Sequence, residues 1–163
     1  MATCNNLKQL EAELRKRLNA ALQDDVAETV KKTESEHVEE NVYGAYGPEE
    51  YLVYKRRGES GGLADTGNMV MEAGDLEISI ENKTPFNPGY NTMNGGDGLD
   101  MLVEYGDGGG GHVYDYPRSS STPPFGDFHQ PRPFVHETVE ELKRGKLREA
   151  VVAGLAKRGV IAE

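Results

Sequence analysis

The sequence has no tryptophan, a single cysteine, only four phenylalanines and an excess of acidic over basic residues. Each shortage removes a class of protein. Cys4 has no partner within the chain, so no internal disulfide can form, and a reducing compartment suits the chain best; Cys4 sits where the N-terminus is expected to fray and is assigned no role. No stretch approaches the roughly 20 apolar residues of a membrane span, and the opening MATCNNLKQL lacks the apolar centre of a signal peptide. The expectation is a soluble chain made in the cytoplasm, with no membrane partner. Lys and Arg total 18 against 28 Asp and Glu, a net charge of −10. That balance excludes a protein that grips nucleic acid through counterion release. Apolar residues make up 36% of the chain and glycine supplies 20 positions, so a compact part with long polar segments is expected.

What is present begins with a stripe. Leu7, Leu10, Leu14, Leu18, Leu22, Val26 and Val30 recur at steps of three and four, the mark of an amphipathic helix. Val38 extends it, so a helix from about residue 5 to 40 is expected, with Asn5 or Asn6 as N-cap. A rod that long, about 50 Å, either kinks or packs on something outside a small domain. Tyr43, Tyr46, Tyr51 and Tyr54 follow beside Lys55, Arg56 and Arg57; tyrosines supply apolar bulk where tryptophan is missing, and three bases do not make a nucleic-acid groove. In DLEISIEN, Leu76, Ile78 and Ile80 alternate with Glu77, Ser79 and Glu81, which predicts a strand with one buried face. Met69, Val70 and Met71 predict a preceding strand, with Gly74-Asp75 turning the hairpin. Residues 82–98 and 106–133 are rich in Gly, Pro, Asn and Ser and read as long loops, with a short strand at His112 to Tyr116.

The C-terminal part is helical again. Lys-Arg-Gly occurs at 143–145 and at 157–159, each time joining last-turn cations to a glycine able to take the left-handed closing position. Two short helices are therefore predicted, with Val135, Val139 and Leu142 inward on the first and Leu147, Val151 and Leu155 on the second. Pro133 suits the helix start, and Val160 and Ile161 close the core. The whole is one α+β domain, 1–163: an N-terminal helical segment 1–42, a sheet region 66–106 with a loop insertion, a flexible loop 107–131 and a helical segment 132–163.

Chemical motifs are few. GGDGLDMLV at 95–103 fits the calcium-binding nonapeptide, but that repeat binds its ion between stacked turns, and one copy supplies half a site. The reading is a flexible glycine loop entering an ordered segment, with Leu99, Leu102 and Val103 buried and Asp97 and Asp100 solvated. Asp65-Thr66-Gly67 is the tripeptide of aspartic proteases, where two copies share a proton; it lacks the preceding apolar strand, and an Asp that caps a turn is the plainer reading. GDGGGGH has no following GK[ST] to make a phosphate cradle, and His37, His112, His129 and His136 lack metal-ligand spacing. No catalytic residue, cofactor or metal is expected, and the chain is read as a non-enzyme.

Three pieces in order carry a resemblance: GGLADTGNM at 61–69, LVEYG at 102–106 and RPFVHETVEELKRGKLREAVVAGLAKRGV at 132–160. The set resembles the tail-completion or head–tail joining (neck) proteins of long-tailed bacteriophages. Asp65, Thr66 and Gly67 match the family's turn; Val103, Glu104, Tyr105 and Gly106 match its second motif; Arg132, Pro133 and Phe134 match the entry to its C-terminal helix. The loops at 82–98 and 106–131 are longer than the family's connections. The resemblance implies helices packed on a small antiparallel sheet, and a virion subunit that assembles as a hexameric or dodecameric ring in the neck or at the proximal end of the tail. It implies docking to connector or adaptor and to tail-tube or tail-terminator proteins, after assembly in the host cytoplasm, and no catalysis. In such a ring the net charge of −10 would line a lumen that does not hold exiting DNA. Calcium-dependent interaction and an aspartic-type protease dimer are the alternatives from other classes.

Overall fold

A computed structural model describes residues 6–44, 61–84, 103–104 and 132–161. The predicted first helix is there, and it runs slightly further than its stripe. Helix α1, Leu7–Ala21, continues through a wide π-helical turn, Leu22–Val26, into α2, Ala27–His37, and ends in a second wide turn, Val38–Tyr43. The residues at each junction keep right-handed helical angles, so this is one rod of about 55 Å. Asn6 is the N-cap, its side chain accepting the Gln9 N–H at 2.9 Å. The wide turns close five residues back: Ala27 N–H reaches the Leu22 carbonyl, and Gly44 N–H reaches Glu39 at 2.8 Å.

The stripe is not buried along its length. Leu7 is 84% exposed and Leu10 and Leu14 are also exposed, whereas Ala21, Val26 and Ala27 are buried. Periodicity selects a face of a helix; it does not guarantee that the domain reaches far enough to cover it. Here the body covers the rod only from about its fourth turn onward.

The hairpin follows a short 3-10 turn, Thr66–Asn68. Strand β1, Met69–Ala73, pairs antiparallel with β2, Ile78–Asn82, in a register that sets Met69 opposite Asn82 and Ala73 opposite Ile78. Residues 74–77 therefore form the loop. Leu76, expected in the strand, lies in that loop instead, with φ of 60° and its side chain exposed. The loop is held by Gly74 N–H donating to the Glu77 carbonyl at 3.0 Å. It rests on α1, where Asn19 Oδ1 accepts the Leu76 N–H at 2.8 Å and Arg15 pairs with Asp75 at 2.9 Å. Ile78 and Ile80 are half-buried, while Met69, which starts β1, and Asn82, which ends β2, are buried.

Two C-terminal helices occur as predicted. Helix α3, Phe134–Glu141, and helix α4, Leu147–Lys157, are joined by Leu142–Lys146, where Gly145 has φ of 135°. Gly159, with φ of 73°, closes α4. Both glycines of the Lys-Arg-Gly repeats thus occupy backbone conformations that a Cβ disfavours. Leu142 is buried as expected and Val151 and Leu155 are half-buried, but the other inward positions differ from expectation. Phe134, Thr138 and Leu142 are buried on α3, whereas Val135 and Val139 are exposed. Thr138 tolerates burial because its hydroxyl donates to the Phe134 carbonyl at 2.7 Å. On α4 the buried positions are Ala150 and Gly154, Leu147 is exposed, and Ile161, expected in the core, is 91% exposed. The architecture is α+β: a long N-terminal helix and C-terminal helices with a small antiparallel sheet. Among the described residues, Val38, Val42, Tyr43, Leu63, Val103 and Phe134 form an apolar core cluster at the far end of the rod.

Candidate functional site

The three stretches that carried the motif resemblance meet around that cluster. Leu63, next to the Asp-Thr-Gly turn, packs with Val103 and Phe134 against Val38, Val42 and Tyr43. Each contributes an apolar residue, so the motifs share one packing unit although up to 71 positions separate Leu63 from Phe134.

Asp65 is a turn cap. Its carboxylate accepts the Gly61 N–H at 2.7 Å and the Gly67 N–H at 2.8 Å. The Gly61 hydrogen bond first, and then that of Gly67, hold the carboxyl below the usual carboxylate range. Both oxygens are engaged within their own loop, whereas a proton-sharing dyad needs a carboxylate turned toward its copy. A Cβ on Gly67 would lie 3.0 Å from Asp65 Oδ1, so the turn favours glycine. Thr66 is exposed.

Glu104 and Arg132 form a reciprocal arrangement at two helix ends. Val103 and Glu104 are helical and buried. The Glu104 carboxylate accepts the N–H groups of Val135 at 2.8 Å and His136 at 3.0 Å, the first-turn donors of α3 that no residue of α3 can satisfy. Pro133, exposed at the N-cap position, offers no side-chain cap of its own. Arg132 donates from Nη1 to the Val42 carbonyl at 2.8 Å, placing a cation at the C-terminal end of the long helix. Its backbone N–H meets the Val103 carbonyl at 2.9 Å. Phe134 is fully buried between these contacts. Tyr105 and Gly106, the rest of the second motif, lie outside the described residues, as do Leu99, Leu102, Asp97 and Asp100 of the calcium-like stretch; Val103, its last residue, is buried as expected.

Sequence reading missed the polar layer beneath this cluster. Asn82 is buried and donates to Glu34 Oε1 at 2.8 Å and the Leu63 carbonyl at 2.9 Å. Thr84 bonds Asn82 Oδ1 at 2.6 Å and the Gly62 carbonyl at 3.2 Å, and Ser35 donates to the Ala64 carbonyl at 2.7 Å. The loop before the hairpin is thereby tied to α2 through its own carbonyls. Burying an unpaired amide costs about 1–3 kcal/mol; here the partners are supplied.

Two ionic junctions hold the C-terminal helices. His37 Nε2 lies 2.8 Å from Glu141, whose other oxygen accepts Lys146 at 2.7 Å; Lys146 also reaches Glu36 at 3.2 Å. The Lys146 hydrogen bond holds the Glu141 carboxyl low, helped by His37 against the effect of burial. At the other junction Asp25 pairs with Lys157 at 2.5 Å and with Arg158. Lys157 first and Arg158 next hold Asp25 below the usual carboxylate range. Arg158 also reaches Asp24 at 2.6 Å, the Ala20 carbonyl at 3.0 Å and the Gly154 carbonyl at 2.7 Å. Arg17 returns a bond to the Arg158 carbonyl at 2.9 Å. Among the described residues, no three His, Cys, Asp or Glu side chains gather as a metal ion requires. No helix of the described residues is long and apolar enough to cross a membrane.

The polar motif residues that are described close turns and cap helices. In comparisons with known proteins, the family described as YomN matches residues 6–157. The SPbeta prophage-derived uncharacterized protein YomN of Bacillus subtilis (strain 168) is 32% identical over 138 residues, covering 83% of this chain and 80% of that protein. No solved structure matches the chain.

Proposed function

The chain belongs to the YomN family, and from that premise we propose that it is a structural subunit of a tailed bacteriophage, working by assembly and not by catalysis. Its place is the neck: a tail-completion or head–tail joining ring of six or twelve copies, docked between connector or adaptor and tail-tube or tail-terminator proteins. It is made in the host cytoplasm and ends in the virion. The prophage origin of the Bacillus subtilis relative supports the phage setting. The ordered motif set supports the finer placement.

One observation carries the assembly reading. Leu7, Leu10 and Leu14 share one face of α1 and are all exposed, while part of the charge beside them is paired along the helix, Glu11 with Arg15 and Glu13 with Arg17. An exposed apolar seam suits protein contact. The test is mass and shape in solution, alone and mixed with phage connector or tail-tube protein. Assembly of the unmodified chain, abolished by Leu10→Glu with Leu14→Glu, is expected. A strict monomer that joins neither complex overturns the reading.

A further inference from the structure

The two ends of the molecule are held by different forces. At the far end of the rod, α3 is fixed by Phe134 in the apolar cluster and by Glu104 over its first turn. Helix α4 is fixed otherwise. Its buried residues are the small Ala150 and Gly154, and its closest approach to the rod sets Gly154 over Ala21 and Asp25. The bonds that hold it converge on one side chain, Arg158, with Lys157 beside it.

Between α3 and α4 stands Gly145, with φ of 135° and only Glu149 Oε1 at 4.0 Å from the position of a Cβ. This is a point where the backbone can change direction without displacing packed side chains. We propose that α4 is a hinged latch: it swings about Gly145 and is held shut on the rod by the polar clasp around Arg158. Opening about Gly145 leaves α3 in place, because Phe134, Leu142 and the Glu104 cap all lie before the hinge; beyond it, only Lys146, beside the hinge, bonds to Glu141 and to Glu36. It uncovers Ala21 and, on the same face by three- and four-residue spacing, extends the bare stretch of Leu7, Leu10 and Leu14 toward Leu18 and Leu22. The latch is independent of the neck assignment and stands or falls separately from it.

Amide hydrogen exchange on the full chain tests this, since a latch opens as a unit below global unfolding. Arg158→Ala is expected to speed exchange in 147–157 by about tenfold or more while amides of 134–141 and 27–37 keep their rates. Equal acceleration in α3 and α4 overturns the latch, because it makes them one cooperative unit; unchanged exchange in α4 overturns the clasp. If Arg158→Ala does not fold, the unmodified chain is compared at about 0.05 M and about 1 M salt. Faster exchange confined to α4 at high salt supports the latch, and a uniform or absent response overturns it.

Discussion

The carboxylate of Glu104 accepts the backbone N–H of Val135 at 2.8 Å across 31 positions of sequence. A helix start is thus capped by a residue from a separate segment, and the stability of α3 depends on that segment staying docked. Glu104→Ala is expected to cost about 1–2 kcal/mol, within the range for losing a helix N-cap. Glu104→Gln, which keeps one acceptor, costs less. Denaturant unfolding of both variants checks the order; a loss near zero in Glu104→Ala would mean that the cap contributes little.

Phe134 is the largest fully buried side chain among the described residues, and it joins Val103 and Leu63 to the rod. Phe134→Ala should destabilise by about 3–5 kcal/mol, measured as a shift in unfolding midpoint. Val135→Ala, one residue along on an exposed position, should cost under about 1 kcal/mol.

That contrast marks what the sequence could reveal. The N-cap at Asn6, the hairpin, the two C-terminal helices and their closing glycines all rest on local signals, and all were legible. The inward face of α3 was not: Val139 looks a better core residue than Thr138 until Thr138 is seen to satisfy its hydroxyl on its own helix. Gly74-Asp75 reads as a tight turn and puts Leu76 in the strand, whereas the loop spans 74–77 and leaves Leu76 at positive φ. At the site, the tripeptide Asp65-Thr66-Gly67 reads as a turn from its own residues, but the bond from Asn82 to Glu34 spans 48 positions. No period or spacing encodes such a partner.

Acid should loosen the fold through Asp25 and Asp65. Both have folded-state pKa values lowered by their partners, so their stabilisation is fully present above the unfolded carboxylate value, about 3.9. It is lost as pH falls through the lower folded values. Unfolding midpoints are expected to be flat from neutral pH to about pH 5 and to fall below about pH 4. Asp25→Asn and Asp65→Asn should each make that acid limb shallower; an unchanged limb in both would remove these two groups from the account.

Gly154 should tolerate no side chain larger than its neighbours leave room for. A Cβ there lies 3.0 Å from Ala21 Cβ and 3.1 Å from Asp25 Cβ, atoms fixed to the rod. Gly154→Val is expected to cost about 1–3 kcal/mol by forcing the helices apart. Ala153→Val, on an exposed position, should cost under about 1 kcal/mol. Thermal melts of the pair give the comparison.

The wide turn Leu22–Val26 also acts as a phase shifter. An α-helix advances about 100° per residue, and a turn that carries one residue more than usual turns everything after it by that angle. The rod therefore presents Ala21 to α4 and, further along, Val38 and Val42 to Leu63 and Phe134, faces that an unbroken α-helix would set at different bearings. Deleting a single residue between Leu22 and Val26 would restore ordinary winding while leaving composition and charge almost untouched. Because the lost residue and the lost wide turn cancel, the two halves of the domain would stay in step, whereas ordinary winding at full length would turn Val38 and Val42 about 100° away from Leu63 and Phe134.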